Sequence, residues 1–333
     1  AGRAGRPEFE KFGEAISIAK TDAQKEEIYE RFVLGKPEEI YSKLAVEPVL
    51  RTYLLSLIST GMVRSEKDVM KFFAGTFWAH QFKDMEKLKV IIDKMLHLLE
   101  EFNFITVHGQ DDFVSGSDVG KSSLIRPTLV GKRVSELYLD PLTANYLITG
   151  LKNYESSTFS LLQLISHTLE MRPLLRIKAA ERGKMEEELV AHYDYLLHPE
   201  PRLTDPSYGD FMNSIKTTLF LTSWIDEMTE PDLMEKYSVR PGEIKYKTDN
   251  ADWLLYASAE LAKLIDRQSI VKDLVRLRIR INYGVKEELL ALLKLKGIGR
   301  KRARKLFDNS IKDLGDVKKS DIGALSQLVG GKI

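Results

Sequence analysis

Residues Pro241 to Asp266 read "PGEIKYKTDNADWLLYASAELAKLID". Wound at about 3.6 residues per turn, Ile244, Ala251, Leu255, Ala262 and Ile265 fall on one face, as in a helix packed against others. Trp253 lies about 200° from Leu255 around the axis. It lines up instead with Tyr246, two turns back, among Asp249, Asn250 and Glu260. Two large aromatics on a polar stripe need a reason, and two readings fit. A neighbouring domain covers them, or they form a platform on which single-stranded bases stack, since every base offers a π-face. Either way a long helix with one packing face points to a mainly α fold.

Downstream, the composition changes at Gly284. The segment 284–333 holds twelve Lys/Arg against six acids, so it carries +6 while the rest of the chain carries −5. Within it, "LLKLKGIGRKRARKLF" (Leu292 to Phe307) reads as a helix ending at Lys296, a turn through Gly297, Ile298 and Gly299, and a second helix from Arg300. Glycines permit the backbone angles and close approach such a turn needs. Ile298 plugs the space between the helices. Amides at the turn face outward as an anion site, ringed by Arg300, Lys301, Arg302 and Arg304. The pattern resembles the helix-hairpin-helix motif, which grips a DNA phosphate without reading sequence. An ordinary hairpin with a solvated basic face is the alternative. "LSQLVGGKI" reads as the start of a second, incomplete hairpin.

Upstream, 140–283 reads as successive helices with breaks at "HPEPRLTDPSYGD", "TEPD" and "VRPGE", a helical bundle. Trp224 follows an apolar run and reads as core. Residues 46–139 give three helical stretches, a short strand "FITV", a Gly/Ser/Asp-rich loop, a further extended piece and a helix "GKRVSELYLD". Three helices followed by a β-wing is the order of a winged helix. Residues 22–45 read as two linker helices, "DAQKEEIYERFVL" capped by Asp22 and then "GKPEEIYSKL". "GEAISIAK" (Gly13 to Lys20) alternates like a strand, within a first segment, 1–21.

The 333 residues carry a net charge of +1, so any electrostatic footprint must be local. There is no cysteine, which excludes disulfides and zinc–thiolate sites. No stretch reaches the roughly 18 apolar residues of a membrane span. "GSDVGKSS" (Gly116 to Ser123) is not a phosphate loop: three residues separate its first glycine from Gly-Lys where four are needed. It reads as a wing tip, with Lys121 able to touch a phosphate. The six histidines show no metal spacing, and His192 and His198 read as surface residues. No nucleophile, base and orienter occur together, so the chain alone looks non-catalytic. The expected chain is cytosolic, multi-domain and mostly helical.

The opening "AGRAGRP" resembles the end of motif VI of superfamily-two helicases. "GKPEEIYSKL", "GKRVSELYLDPLTA" and "VKEELLALLKLKGIGRKRARKLF" resemble the archaeal Holliday-junction-migration helicases (Hjm type) and their animal relative HELQ, of the Ski-like branch. The resemblance covers essentially the whole chain, as the C-terminal half of such a helicase. It implies a remnant of the second RecA-like α/β motor domain (1–21), linker helices (22–45), a winged helix (46–139), a helical ratchet bundle (140–283) and a helix-hairpin-helix domain (284–333). It implies that Arg3 and Arg6 reach the γ-phosphate of ATP and stabilise charge in the transition state, with ATP and Mg²⁺ bound only by the full-length parent. It implies that Trp253 contacts bases. The family often has arginine where this chain has Tyr246, and Lys245 and Lys247 flank that position to supply charge. Gly297, Ile298, Gly299 and the four basic residues after them grip the strand. The implied parent is a monomeric ATP-dependent 3′–5′ DNA helicase acting on single-stranded, forked or branched DNA in replication-coupled repair and recombination, cytoplasmic and nucleoid-associated. The alternatives are an RNA helicase of the spliceosomal or exosome-associated kind, and a non-enzymatic DNA-binding module.

Overall fold

The computed structural model describes residues 12–36, 39–44, 46–108 and 124–330. By backbone contacts the chain divides into two units, 1–43 and 44–333. In the first, α1 (Asp22–Ile28) is capped by the Thr21 hydroxyl, which accepts from the Gln24 amide, so the cap is one residue earlier than Asp22. The helix continues into a wide π turn over Tyr29–Val33. The strand expected at 13–20 does not form over its described residues. Alternation alone does not make a strand when no second strand supplies hydrogen bonds. Residues 39–44, expected to be helical, are irregular.

The second unit begins with α2 (Glu47–Ser59), α3 (Glu66–Ala74), α4 (Phe77–Phe82) and α5 (Met85–Glu101). Ser65, Thr76 and Asp84 cap the last three through their side chains, satisfying amides the first turn leaves unpaired. Strands β1 (Ile105–His108) and β2 (Leu124–Pro127) pair antiparallel, Ile105 opposite Pro127 and His108 opposite Leu124. The expected wing tip, with Lys121, lies outside the described residues. Next come α6 (Leu129–Glu136), α7 (Pro141–Asn153), α8 (Thr158–Ser166), α9 (Arg182–Ala191), α10 (Tyr208–Ile225), α11 (Glu230–Tyr237), α12 (Pro241–Leu264) and α13 (Gln268–Tyr283).

One hydrophobic core runs from Leu50, Leu54 and Ile58 of α2 through Leu147 and Leu151 of α7 to Leu255 of α12 and Ile281 of α13. Each of these is essentially fully buried, and each such side chain contributes about 1.5–3 kcal/mol. The segments 46–139 and 140–283 therefore share a core. A bidentate pair joins them as well: Arg51 of α2 meets Asp140 at 2.8 and 2.7 Å, and Asp140 also caps α7.

His192 and His198 are not simple surface residues. His198 stacks on Tyr146 with ring centroids 3.9 Å apart, and His192 stacks on Phe159 at 4.1 Å. Burial lowers the pKa of His198 and raises that of Tyr146.

The C-terminal segment has its own small core of Val285, Leu289, Leu292, Ile298, Ala303, Leu306, Ile311, Leu325 and Val329. The helix expected before the glycine turn is instead two 3₁₀ turns, Glu287–Leu289 and Leu292–Lys294. Then follow α14 (Arg300–Asp308), α15 (Leu314–Lys319) and α16 (Ile322–Val329). No described helix is long and apolar enough to cross a membrane.

Candidate nucleic-acid interface

The 24-residue α12 starts with Pro241 at its first turn, where a missing amide costs nothing. The Glu243 carboxylate accepts from the Arg240 amide at 2.8 Å. Its inner face is the expected one: Ile244, Ala251, Leu255 and Ala262 are buried. Ile265 caps the helix and is only partly buried. Ala257, Ser258 and Ala259 are buried too, and such small side chains let α13 and α8 approach closely.

The polar stripe has three parts. At its N-terminal end the Tyr246 ring is 43% exposed, and its hydroxyl donates to the Arg172 carbonyl at 2.7 Å. Asn250 donates to the Glu170 carbonyl at 2.9 Å. In the middle, Trp253 is half-buried against the core, and its indole N–H meets no acceptor among the described residues. At the C-terminal end, Arg133 of α6 closes over the stripe. It donates to Glu260 at 2.6 Å and to the Tyr256 hydroxyl at 3.3 Å, while Arg278 lies 4.9 Å from the Tyr256 ring centre. A neighbouring element thus covers one end of the stripe and leaves the Tyr246 end open.

The two lysines beside Tyr246 differ. Lys245 is exposed and pairs with Asp249 at 2.8 Å. Lys247 does not stand at the surface: it is 2% exposed, and its ammonium donates to the carbonyls of Met171 (2.5 Å) and Pro173. Burial pulls its pKa down to about 8. It therefore holds a loop and offers no charge to a ligand. That loop is anchored from the other side. Glu170 accepts from the Thr143 hydroxyl at 2.6 Å and the Asp140 amide at 3.1 Å, and burial raises its pKa.

In the hairpin, Gly297 takes a left-handed backbone with φ +78°, which glycine alone adopts without strain. Ile298 is buried beneath the turn. Gly299 is extended and caps α14, and a Cβ there would meet nothing within 4 Å. The four basic residues divide. The Arg300 guanidinium sits 5.1 Å over the Trp224 ring and donates to the Met228 carbonyl at 2.8 Å; burial lowers its pKa. Arg304 is held by three carboxylates, Glu227 and Glu288 at 2.7 Å and Asp308 at 3.4 Å. Arg302 donates to the Gly297 carbonyl at 2.8 Å. Lys301 has no ion pair among the described residues, and neither has Lys305. Two of the four expected phosphate ligands are thus structural ties from α14 to the α10–α11 corner. Trp224, expected as core, is half-buried at that corner, and its indole donates to the Ile281 carbonyl at 2.7 Å.

An open cleft of about 1220 Å³ lies beside the turn, and Lys301, Arg302, Lys305, Pro231, Asn282 and Tyr283 are among the residues that line it. The sequence reading did not single out Tyr283 or Lys305. The available signal was position: Tyr283 ends α13 directly before the segment where the charge turns positive. Arg3 and Arg6 lie outside the described residues. Among the described residues no group of three His, Cys, Asp or Glu could hold a metal ion.

Comparison with known families places these features. The archaeal helicase domain 4 family matches residues 159–284, which contain Tyr246, Trp253 and Tyr283. A helix-turn-helix domain family matches residues 13–106. The chain is 38% identical over its whole length to an ATP-dependent DNA helicase Hel308 from Methanocaldococcus jannaschii, spanning 25% of that protein. It is 35% identical to the Hel308 of Methanococcus vannielii and 33% identical to that of Pyrococcus abyssi, in both over all of this chain and over 47% and 45% of the relative. The chain thus spans less than half the length of these relatives. Over its whole length the chain is thus similar to the archaeal Hel308 DNA helicases, and its bundle matches the archaeal helicase domain 4 family.

Proposed function

We propose that this chain is the strand-gripping part of an ATP-dependent DNA helicase that moves 3′ to 5′ on forked or branched DNA in repair and recombination. In this reading the exposed aromatic end of the α12 stripe holds bases, and the glycine turn with Lys301 and Arg302 holds backbone phosphates. Arg3 and Arg6 serve the ATP site of the whole protein, whose nucleotide and Mg²⁺ are bound mainly by residues outside this chain. Residues 46–139 act as a winged helix that braces the bundle, through Arg51–Asp140 and Arg133–Glu260.

The observation that supports this most is the placement of Tyr246 and Trp253. They lie two turns apart, about 10.5 Å along the axis at 1.5 Å per residue. Both are at least partly open, on a helix whose aliphatic side chains are mostly buried. Aromatic faces stack bases without regard to sequence, as a translocating motor requires.

The test is Trp253→Ala titrated with an oligo-dT strand. Affinity is expected to fall by about 1–3 kcal/mol with little change in salt dependence, because a stacked base is lost and no phosphate contact is removed. Since Trp253 packs partly on the core, some loss of melting temperature accompanies it. A drop in melting temperature with unchanged affinity would refute the reading.

A further inference from the structure

A groove of about 610 Å³ lies where α13 meets the C-terminal segment, on a face that the strand-gripping reading leaves unused. From α13 it takes Lys272, Arg276, Ile279 and Tyr283. Spaced four, three and four residues apart, these fall within about 60° of one another around the helix axis and run along about three turns, roughly 16.5 Å. From the two 3₁₀ turns and the residues between them the groove takes Glu287, Leu290, Ala291, Leu293 and Lys294.

The lining is aliphatic where a single strand would need rings. Four of its nine residues are aliphatic and one is aromatic, whereas strand sites without sequence preference are built on aromatic platforms. Ile279 is 37% exposed, and among the described residues neither it nor Leu290 packs into any of the hydrophobic cores. Apolar side chains left open together on two adjoining elements mark a surface for another apolar face. The charges among them are unbalanced: Lys272, Arg276 and Lys294 stand against Glu287 alone, three positive and one negative, or +2. Glu287 already accepts from Arg276 at 3.3 Å. Lys272 and Lys294 are exposed and have no ion pair or hydrogen bond among the described residues. An aliphatic groove along three turns of helix with surplus positive charge fits one partner chemistry, a helix whose apolar stripe is flanked by carboxylates.

We propose that this groove docks an amphipathic acidic helix of a partner protein, whose apolar side chains at i, i+3 or i+4, and i+7 meet Ile279, Leu290 and Leu293 and whose carboxylates pair with Lys272 and Lys294. Anchors at that spacing span about 10.5 Å, within the length of α13 that lines the groove. None of these five residues belongs to the α12 stripe or to the glycine turn, so the helix and a nucleic-acid strand do not compete.

The anisotropy of a fluorescein-labelled synthetic helix, titrated with the intact chain, tests it. The probe is about 16 residues long, with leucine at i, i+3, i+4 and i+7 and glutamate and alanine elsewhere, and a twin carries lysine in place of glutamate. The glutamate peptide should bind saturably and the lysine twin should not. Ile279→Ser should weaken the glutamate peptide roughly 5- to 30-fold, the usual contribution of one apolar anchor, while oligo-dT affinity stays as in wild type. Lys272→Glu with Lys294→Glu should reverse the order of the two peptides. Failure of the glutamate peptide to bind, or equal binding of both peptides, would overturn the site. Displacement of the glutamate peptide by oligo-dT would overturn it in favour of a nucleic-acid surface. Binding that neither variant moves would put the peptide elsewhere on the chain and overturn it as well. If Ile279→Ser melts early, the charge reversal, made on two exposed side chains, decides.

Discussion

Replacing Lys247 by methionine tests the interior of the site through pH. The Lys247 ammonium is buried, and burial moves its pKa from 10.5 to about 8. Below pH 8 the lysine is charged in both the folded and the unfolded chain, and the cost of burying that charge is carried in full. Between pH 8 and 10.5 the folded chain has released the proton and the unfolded chain still holds it. Stability therefore rises with pH, by about 1.4 kcal/mol per unit and about 3 kcal/mol over the window. Above 10.5 the effect is complete. Lys247→Met has no such group, and every other titration is common to both chains. At pH 7 the variant's offset mixes two opposed contributions: relief of the buried charge, and the orphaned carbonyls of Met171 and Pro173. The diagnostic quantity is consequently the slope. Urea unfolding of both proteins at pH 7, 8, 9 and 10 should show wild type gaining roughly 2 kcal/mol on the variant between pH 8 and 10. A difference that stays flat with pH would mean that Lys247 titrates like a surface lysine, and the clamp on the 170–173 loop would be wrong.

Further outcomes follow from the hairpin and the motor. Gly297→Ala should lose about 1 kcal/mol or more of stability, because φ +78° strains any side chain, whereas Gly299→Ala should melt as wild type and lose strand affinity if a phosphate approaches its backbone. Arg304→Ala should lower the melting temperature by leaving Glu227 and Glu288 unmatched in a partly buried site, yet leave the salt slope of DNA binding unchanged, because its charge is already spent. The chain by itself should hydrolyse no ATP with or without DNA, since its sequence carries no phosphate loop; DNA-stimulated turnover in a clean preparation would contradict this.

The inner face of α12 was legible because burial of Ile244, Ala251, Leu255 and Ala262 is written in a local period. The helices ahead of the two strands were legible for the same reason, except that the second expected stretch is two helices, α3 and α4, broken at Gly75 and Thr76. What escaped depends on partners distant in the chain. Lys247 looked like a surface cation because the carbonyls that satisfy it lie about 75 residues upstream. Arg300 and Arg304 looked like phosphate ligands because Met228 and Glu227, which hold them, come from a corner more than 70 residues away. The hydroxyl of Tyr246 is likewise engaged by a loop carbonyl far away in the chain, that of Arg172. The strand expected at 13–20 failed on the opposite count: local alternation was present, and no partner strand pairs with it among the described residues.

The central claim is that the α12 stripe holds bases directly, and one measurement addresses it most closely. In a variant with Trp78→Phe and Trp224→Phe, Trp253 is the sole tryptophan, since the chain has three. Oligo-dT is titrated while tryptophan emission and the anisotropy of a labelled strand are followed together. The account predicts that emission is quenched in step with binding, with the same midpoint, as a base stacks on the indole. Full binding by anisotropy with no change in Trp253 emission would contradict it.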